Sequence, residues 1–260
     1  MMISEIKNIV DSFNSVTLKE IAGARLMDRV DTKFLLPANS IPDLLKLMEE
    51  RYRVLEINDF RISAYNTAYL DTPDFIFFNQ HVTERTGRIK VRFRRYESNG
   101  ITFLEIKKKT KKNRTVKWRI ENSFIDNNFD ESAVRFIDKH ISFNSELLRP
   151  VLTNSFKRIT FTGFDIPERI TIDLDVSFSE PEGKSRELPL ISIAELKSEG
   201  PAIRSPFSKL VRQLSAYPTG FSKYCTGIAL LYDIPRINIL KPKLLLLNRI
   251  ENEYNGALSA

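Results

Sequence analysis

A single cysteine, Cys225, excludes an internal disulfide in this 260-residue chain and points to a reducing compartment. Two histidines, His81 and His140, are too few for a His-rich zinc site. Glycine is sparse, nine in all, and none falls in the spacing of a P-loop or a dinucleotide-binding turn, which argues against the common nucleotide folds. The longest apolar run near the C-terminus, Leu244 to Leu247, is far shorter than the ~20 residues that span a bilayer. No basic-then-apolar signal pattern opens the chain, so a soluble cytoplasmic protein is expected. Repeats, low-complexity tracts and convincing linkers are also missing, and one domain over 1–260 is the expectation.

What is present is ordinary for a globular protein in amount but not in arrangement. The chain is 42% hydrophobic and 28% charged, with net charge +7 and a pI near 9.4. An excess of cations favours an anionic partner without fixing the fold. Apolar residues at helical spacing predict a helix over 3–13, and Thr17 with Glu20 has capping-box spacing for a second. Ser40 and Pro42 open a helix reaching about residue 50. Strands are predicted over 29–36, 53–57, 61–70, 89–96, 102–108, 115–120, 155–162, 169–178, 190–196 and 227–232, with helices near 131–139 and 207–215. Many strands, short connections and few βαβ spacings predict an α+β fold: an antiparallel sheet or barrel with helices attached outside.

The run Lys90-Val91-Arg92-Phe93-Arg94-Arg95-Tyr96 alternates basic and apolar residues with period two. A strand places Lys90, Arg92 and Arg94 on one face, with Val91 and Phe93 on the other. The pattern recurs: Arg29, Asp31 and Lys33; Glu105, Lys107 and Lys109; Lys117 and Arg119; Arg169, Thr171, Asp173 and Asp175; Glu195 and Lys197. One wet face is common in antiparallel sheets. Faces so rich in Arg and Lys, repeated over five or six strands, suggest instead a basic interior that a polyanion would satisfy. Glu105, Asp173, Asp175 and Glu195 are candidates for ion pairing or for a divalent metal, since Mg²⁺ takes one or two carboxylates plus phosphate oxygens. Two further motifs stand out. Tyr69-Leu70-Asp71-Thr72 reads as a strand end entering a capped turn. The loop pair Ser222-Lys223 could bind phosphate or act as nucleophile and base.

The ordered set of motifs resembles the catalytic domain of the vacuolar transporter chaperone (VTC) family, a polyphosphate polymerase domain among the triphosphate tunnel metalloenzymes. It comprises Met27-Asp28-Arg29-Val30-Asp31-Thr32-Lys33-Phe34, Tyr69-Leu70-Asp71-Thr72, Lys90 to Tyr96, Phe103-Leu104-Glu105-Ile106-Lys107, Ser155-Phe156-Lys157-Arg158, Glu168 to Asp173, Ala194-Glu195-Leu196-Lys197 and Phe221-Ser222-Lys223-Tyr224. The match spans about residues 20–245. The resemblance implies an antiparallel tunnel barrel gripping ATP, triphosphate or polyphosphate, with Mn²⁺ or Mg²⁺ bridging phosphates. It assigns phosphoryl transfer to Lys33, Arg92, Arg94, Lys107, Arg158, Arg169 and Lys223. It adds Lys117 and Ser222 as supporting phosphate contacts and Glu195 as the metal ligand; the charged faces add Arg29, Lys90, Arg119 and Lys197 to the phosphate contacts, with Glu105 and Asp173 as further metal candidates. Arg85 and Arg88 are candidates for one more tunnel arginine. Arg29-x-Asp31-x-Lys33 replaces the wider superfamily's Glu-x-Glu-x-Lys, which shifts weight from metal binding toward polyanion grip. Three activities stay open: polyphosphate synthesis from ATP, tripolyphosphate or nucleoside triphosphate hydrolysis, and non-catalytic polyphosphate binding. RNA is disfavoured because Phe93 falls opposite the basic face. No DNA partner and no oligomeric state follow from the sequence.

Overall fold

The alternation over residues 89–96 does form a strand, and ten others join it in one sheet. The computed structural model describes residues 2–23, 29–111, 114–122 and 129–258, the side chains of residues 2, 22, 29 and 255–258 excepted. In chain order these give α1 (Met2–Ser12), β1 (Ser15–Val16), α2 (Leu18–Gly23), β2 (Arg29–Pro37), α3 (Ile41–Met48), β3 (Tyr52–Leu55), β4 (Ile62–Asp71) and α4 (Ile76–Val82). There follow β5 (Ile89–Tyr96), β6 (Ile101–Lys109), β7 (Thr115–Glu121), α5 (Glu131–His140), β8 (Arg149–Gly163), β9 (Glu168–Ser179), β10 (Ser185–Leu188) and β11 (Ile191–Glu199). The chain ends with α6 (Pro206–Gln213), α7 (Lys223–Leu231) and α8 (Lys241–Leu258). The predicted capping box opens α2: Thr17 N–H donates to Glu20 Oε2 (2.8 Å), and Glu20 N–H donates to Thr17 Oγ1 (3.4 Å).

The sheet runs β2-β11-β9-β8-β4-β5-β6-β7, antiparallel along this path, with β10 on β9, and β3 on β8 and parallel to β1. It is strongly curved but not closed into a barrel. The curvature can be read from two lysines. Lys33 on β2 and Lys90 on β5 are five strand spacings apart, about 24 Å on a flat sheet. Yet Lys33 Nζ donates to the Phe221 carbonyl (2.7 Å) and Lys90 Nζ to the Ser222 hydroxyl (3.0 Å), on consecutive residues. The start of α7 therefore bridges the two walls.

Period two decides what each face buries. The convex sides of β2, β3, β8, β9 and β11 present Phe34, Leu36, Val54, Phe161, Ile172 and Leu196 to α1, α3 and α6. Val91, Phe93, Leu104 and Ile106 pack on Phe77 of α4 and on Ala133, Phe136 and Ile137 of α5. A third core lies inside the curve. Leu35, Ile193, Phe156 and Phe178, on strands that also carry charges, meet Phe221, Tyr224 and Ile228 of the α7 region and Leu247 and Ile250 of α8. The concave side is thus stoppered by apolar residues and charged beyond the stopper.

Two expectations fail. Residues 227–232, predicted as a strand, fall largely in helix α7. A short apolar run is ambiguous in periodicity, and Ser222 decides it by accepting the Cys225 N–H at the N-cap (3.3 Å). Asp175 does not share a face with Asp173. It adopts φ 49°, and the β8–β9 register slips between Ser155 and Lys157, as in a β-bulge. The slip turns Val176 and Phe178 into the concave side and leaves Asp175 paired with Lys157 (2.9 Å). Helices α4 and α8 and strand β10 had no counterpart among the predicted elements.

A candidate polyanion site on the concave face

Eight cations gather around two buried carboxylates. Arg92 reaches Glu105 through Nε (2.8 Å) and Nη2 (2.5 Å), and Lys117 takes the other carboxylate oxygen. Arg158 makes a two-pronged contact with Asp173 (2.5 and 2.8 Å), which Lys223 also grips. Lys33, Lys90, Arg94 and Lys107 bring four more charges with no carboxylate partner among the described residues. Lys33 and Lys90 bond Phe221 and Ser222, and Arg94 Nε donates to Thr67 Oγ1 (3.2 Å). The strands dictate this geometry, since Lys90, Arg92 and Arg94 alternate on β5, and Lys90 and Arg92 face Lys107 and Glu105 of β6 in register.

Crowding and burial act on these groups as electrostatics requires. Lys107 is drawn down to about 6 by the Arg92 charge, by burial and by Arg94. Burial is the leading reason that Lys90 and Lys223 fall to about 8, Arg94 to about 10, and Lys33 and Lys117 below the ordinary lysine range. Burial opposes the ionised forms of Glu105 and Asp173, but their cations together outweigh it, Arg92 with Arg94 and Lys117 for Glu105, and Arg158 with Lys223 for Asp173. Both carboxyls are held well below the usual range.

An aromatic floor supports the cations, and sequence reasoning missed it. Tyr65 and Phe156 stack at 5.2 Å, nearly parallel. The Arg158 guanidinium sits 5.3 and 5.1 Å from the two ring centroids, Arg94 lies 5.7 and 5.8 Å away, and Lys223 Nζ is 4.6 Å from Phe156. Arg92 lies 6.0 Å from the Tyr69 ring. The signal was present, since Tyr65, Thr67 and Tyr69 hold alternate positions on β4. Phe93 does point away, as expected, but neighbouring strands supply aromatics that the guanidinium groups cover.

The remaining predicted residues fall around this cluster. Ser222 and Lys223 are not paired with each other; Ser222 caps α7 and accepts from Lys90, while Lys223 turns to Asp173. Lys197 contacts both Glu195 and Asp31, the latter at 3.5 Å, and Glu195 is in register with Lys33. Arg169 stands farther along the inner face, in register with Lys197. It donates to the Ile21 carbonyl (2.9 Å) and lines a pocket of about 270 Å³ with Arg53 and Thr162. Arg119 is exposed, 4.6 Å from the Phe103 ring centroid. Arg85 and Arg88 precede β5, and Arg88 bonds the Glu84 and Arg85 carbonyls. Met27, Asp28 and the Arg29 side chain lie outside the described residues.

Asp71 anchors the bridging helix. It accepts N–H groups from Thr72 (2.7 Å), Phe77 (2.8 Å) and Phe78 (2.9 Å), and the hydroxyl of Tyr224. One buried carboxylate thereby ties α4 to α7, which carries Lys223. Among the described residues, no helix is long and apolar enough to cross a membrane, and no three or more Asp, Glu, His and Cys side chains cluster as a metal site.

Several solved structures are similar at low identity. A candidate adenylate cyclase from Vibrio parahaemolyticus aligns at 15% identity, covering 75% of this chain and 94% of its own (TM-score 0.43). One from Bacillus halodurans aligns at 14%, covering 75% and 96% (0.48). A candidate adenylyl cyclase from Hippeastrum, described as having a dominant triphosphatase activity, aligns at 12%, covering 79% and 98% (0.48). No curated protein sequence matches. The model of the VTC domain matches residues 28–232, a span that holds every strand from β2 to β11 and the helix bearing Lys223, and the chain belongs to the VTC domain family.

Proposed function

We propose that the protein transfers phosphoryl groups of a triphosphate, and that its reaction is polyphosphate synthesis from ATP. The observation that carries this is the charge surplus on the concave face: eight cations, two carboxylates, and four cations with no carboxylate of their own among the described residues. Burial holds back part of that charge, and a chain of phosphates restores it. Lys33, Lys90, Arg92, Arg94, Lys107, Arg158 and Lys223 neutralise phosphate oxygens and fix the donor for in-line attack.

The choice of acceptor follows from the carboxylates. Glu105 and Asp173 are each held by two cations and kept ionised, so neither has the proton affinity of a general base for water. A terminal phosphate is already an anion and needs no such base. Glu195, with Asp31 beside it across Lys197, offers the hard oxygen ligands that Mn²⁺ or Mg²⁺ accepts when substrate oxygens complete its shell. A metal there would neutralise charge on the transferred group.

Incubation of pure protein with ATP and Mn²⁺, followed by assays for long-chain polyphosphate and free phosphate, tests the reading. Long polymer is expected. Free phosphate alone would assign the site to hydrolysis, and neither product with any divalent metal would leave a binder.

A further inference from the structure

Between Lys107 and Arg119 the chain carries eight lysines and arginines and no aspartate or glutamate. The concave trough of the open sheet, a tunnel without a closed wall, uses Lys107 and Lys117. Others sit on the β6–β7 hairpin beyond it. Lys109 follows Lys107 on the same face of β6, about 7 Å farther along the strand. The turn then closes through Thr110 N–H to the Arg114 carbonyl (2.7 Å) and Arg114 N–H to Thr110 Oγ1 (3.2 Å). Lys111 and Arg114 are exposed and Lys109 half-buried.

Several surface cations elsewhere come with carboxylates: Lys7 with Asp11 (3.0 Å), Arg135 with Glu131 (2.9 Å), Arg186 with Glu251 (2.8 Å). Lys109, Lys111 and Arg114 make no ion pair among the described residues. Like charges held on one short turn repel unless a counter-charge comes from outside.

We propose that Lys109, Lys111 and Arg114 form a docking site for a long polyphosphate chain, outside the tunnel and continuous with its basic wall. The proposal rests on the reading of the tunnel as a phosphate site. Continuity with Lys107 and Lys117 argues that the same kind of ligand passes from one to the other. RNA fits poorly, because the only aromatic from 107 to 119, Trp118, is stacked on His140 (4.7 Å, 23°) and offers no platform for bases. A lipid surface fits poorly because Val116 is the only large hydrophobic exposed on this stretch, and no apolar wedge accompanies the charges. A polyphosphate needs only cations at intervals. Held there, it keeps a high local concentration of chain ends at the tunnel.

Binding of inorganic tripolyphosphate and of long-chain polyphosphate is measured for the intact protein, for K109Q/K111Q/R114Q, and for the charge-keeping K109R/K111R/R114K. The neutralised variant is expected to bind the long chain about tenfold more weakly near 0.1 M salt, with a log–log salt slope reduced by about 3. Tripolyphosphate affinity is expected to hold, and the charge-keeping variant to bind both ligands as the parent does. Unchanged long-chain affinity in the neutralised variant overturns the proposal. So does a loss confined to an RNA homopolymer or to anionic vesicles. Arg92→Ala tests the tunnel separately: tripolyphosphate binding that survives it counts against the tunnel reading, whatever the hairpin variants show.

Discussion

Glu105 shows how one side chain sets the balance between stability and binding. It is fully buried, and its charge compensates Arg92 and Lys117. Glu105→Gln leaves two cations without that compensation, and breaking a buried pair costs roughly 3–5 kcal/mol. The empty variant is expected to melt earlier but to bind tripolyphosphate more tightly than the parent, because the ligand no longer competes with a carboxylate. Thermal melts with and without tripolyphosphate check this, and equal or weaker affinity in the variant would refute the competition. Lys90 gives a pH prediction whose sign is fixed. It loses its proton near 8 when folded and near 10.4 when unfolded. Between these values the unfolded chain holds more protons, so Lys90 makes stability rise with pH. Denaturant melts from pH 7 to 10.5 are expected to show a flatter profile for Lys90→Met than for the parent. An identical slope would mean that Lys90 is not depressed. At this scale the sequence revealed the cations well, because β5, β6 and β7 carry them at period two. It did not reveal that Asp173 is a clamp for Arg158 and Lys223 or that Tyr65 and Phe156 form a floor, since pairings across distant strands leave no local pattern.

Helix α7 is the element on which the two walls depend. Gly227 lets it approach β8 and β9: a Cβ there would stand 2.6 Å from both Leu152 Cδ2 and Phe178 Cδ1. Gly227→Ala therefore forces the helix or the stopper to move, at a typical overpacking cost of about 1–3 kcal/mol. Because Ser222 and Lys223 ride on the same helix, triphosphate affinity is expected to fall together with melting temperature. Parallel calorimetry and melting measure both, and a variant that loses stability while binding normally would show that α7 does not position the cations. Strand β5 was legible to the residue, and α1, α2, α5 and α6 nearly so, because amphipathic period and caps are local. Helix α7 was misread because it is apolar on most sides. Asp175 was misplaced because a bulge reverses the alternation without any sign in the strand itself.

At the scale of the whole molecule, the antiparallel pairing of β2 with β11 sets Glu195 opposite Lys33, on the face that carries the cation cluster. Two roles for Glu195 make different predictions. If it holds the divalent metal, Glu195→Ala is expected to abolish turnover, at least a hundredfold, while polyphosphate binding largely survives. Glu195→Asp, which keeps the oxygen ligands on a shorter arm, is expected to recover part of the rate at higher Mn²⁺ concentration. If Glu195 merely balances Lys197, its removal leaves that cation to Asp31 and raises the positive charge on the face. Turnover then persists at unchanged metal dependence, and polyphosphate binds more tightly. The Mn²⁺ concentration giving half-maximal rate, measured for both variants and the parent, separates the two, because charge balance alone has no reason to shift it.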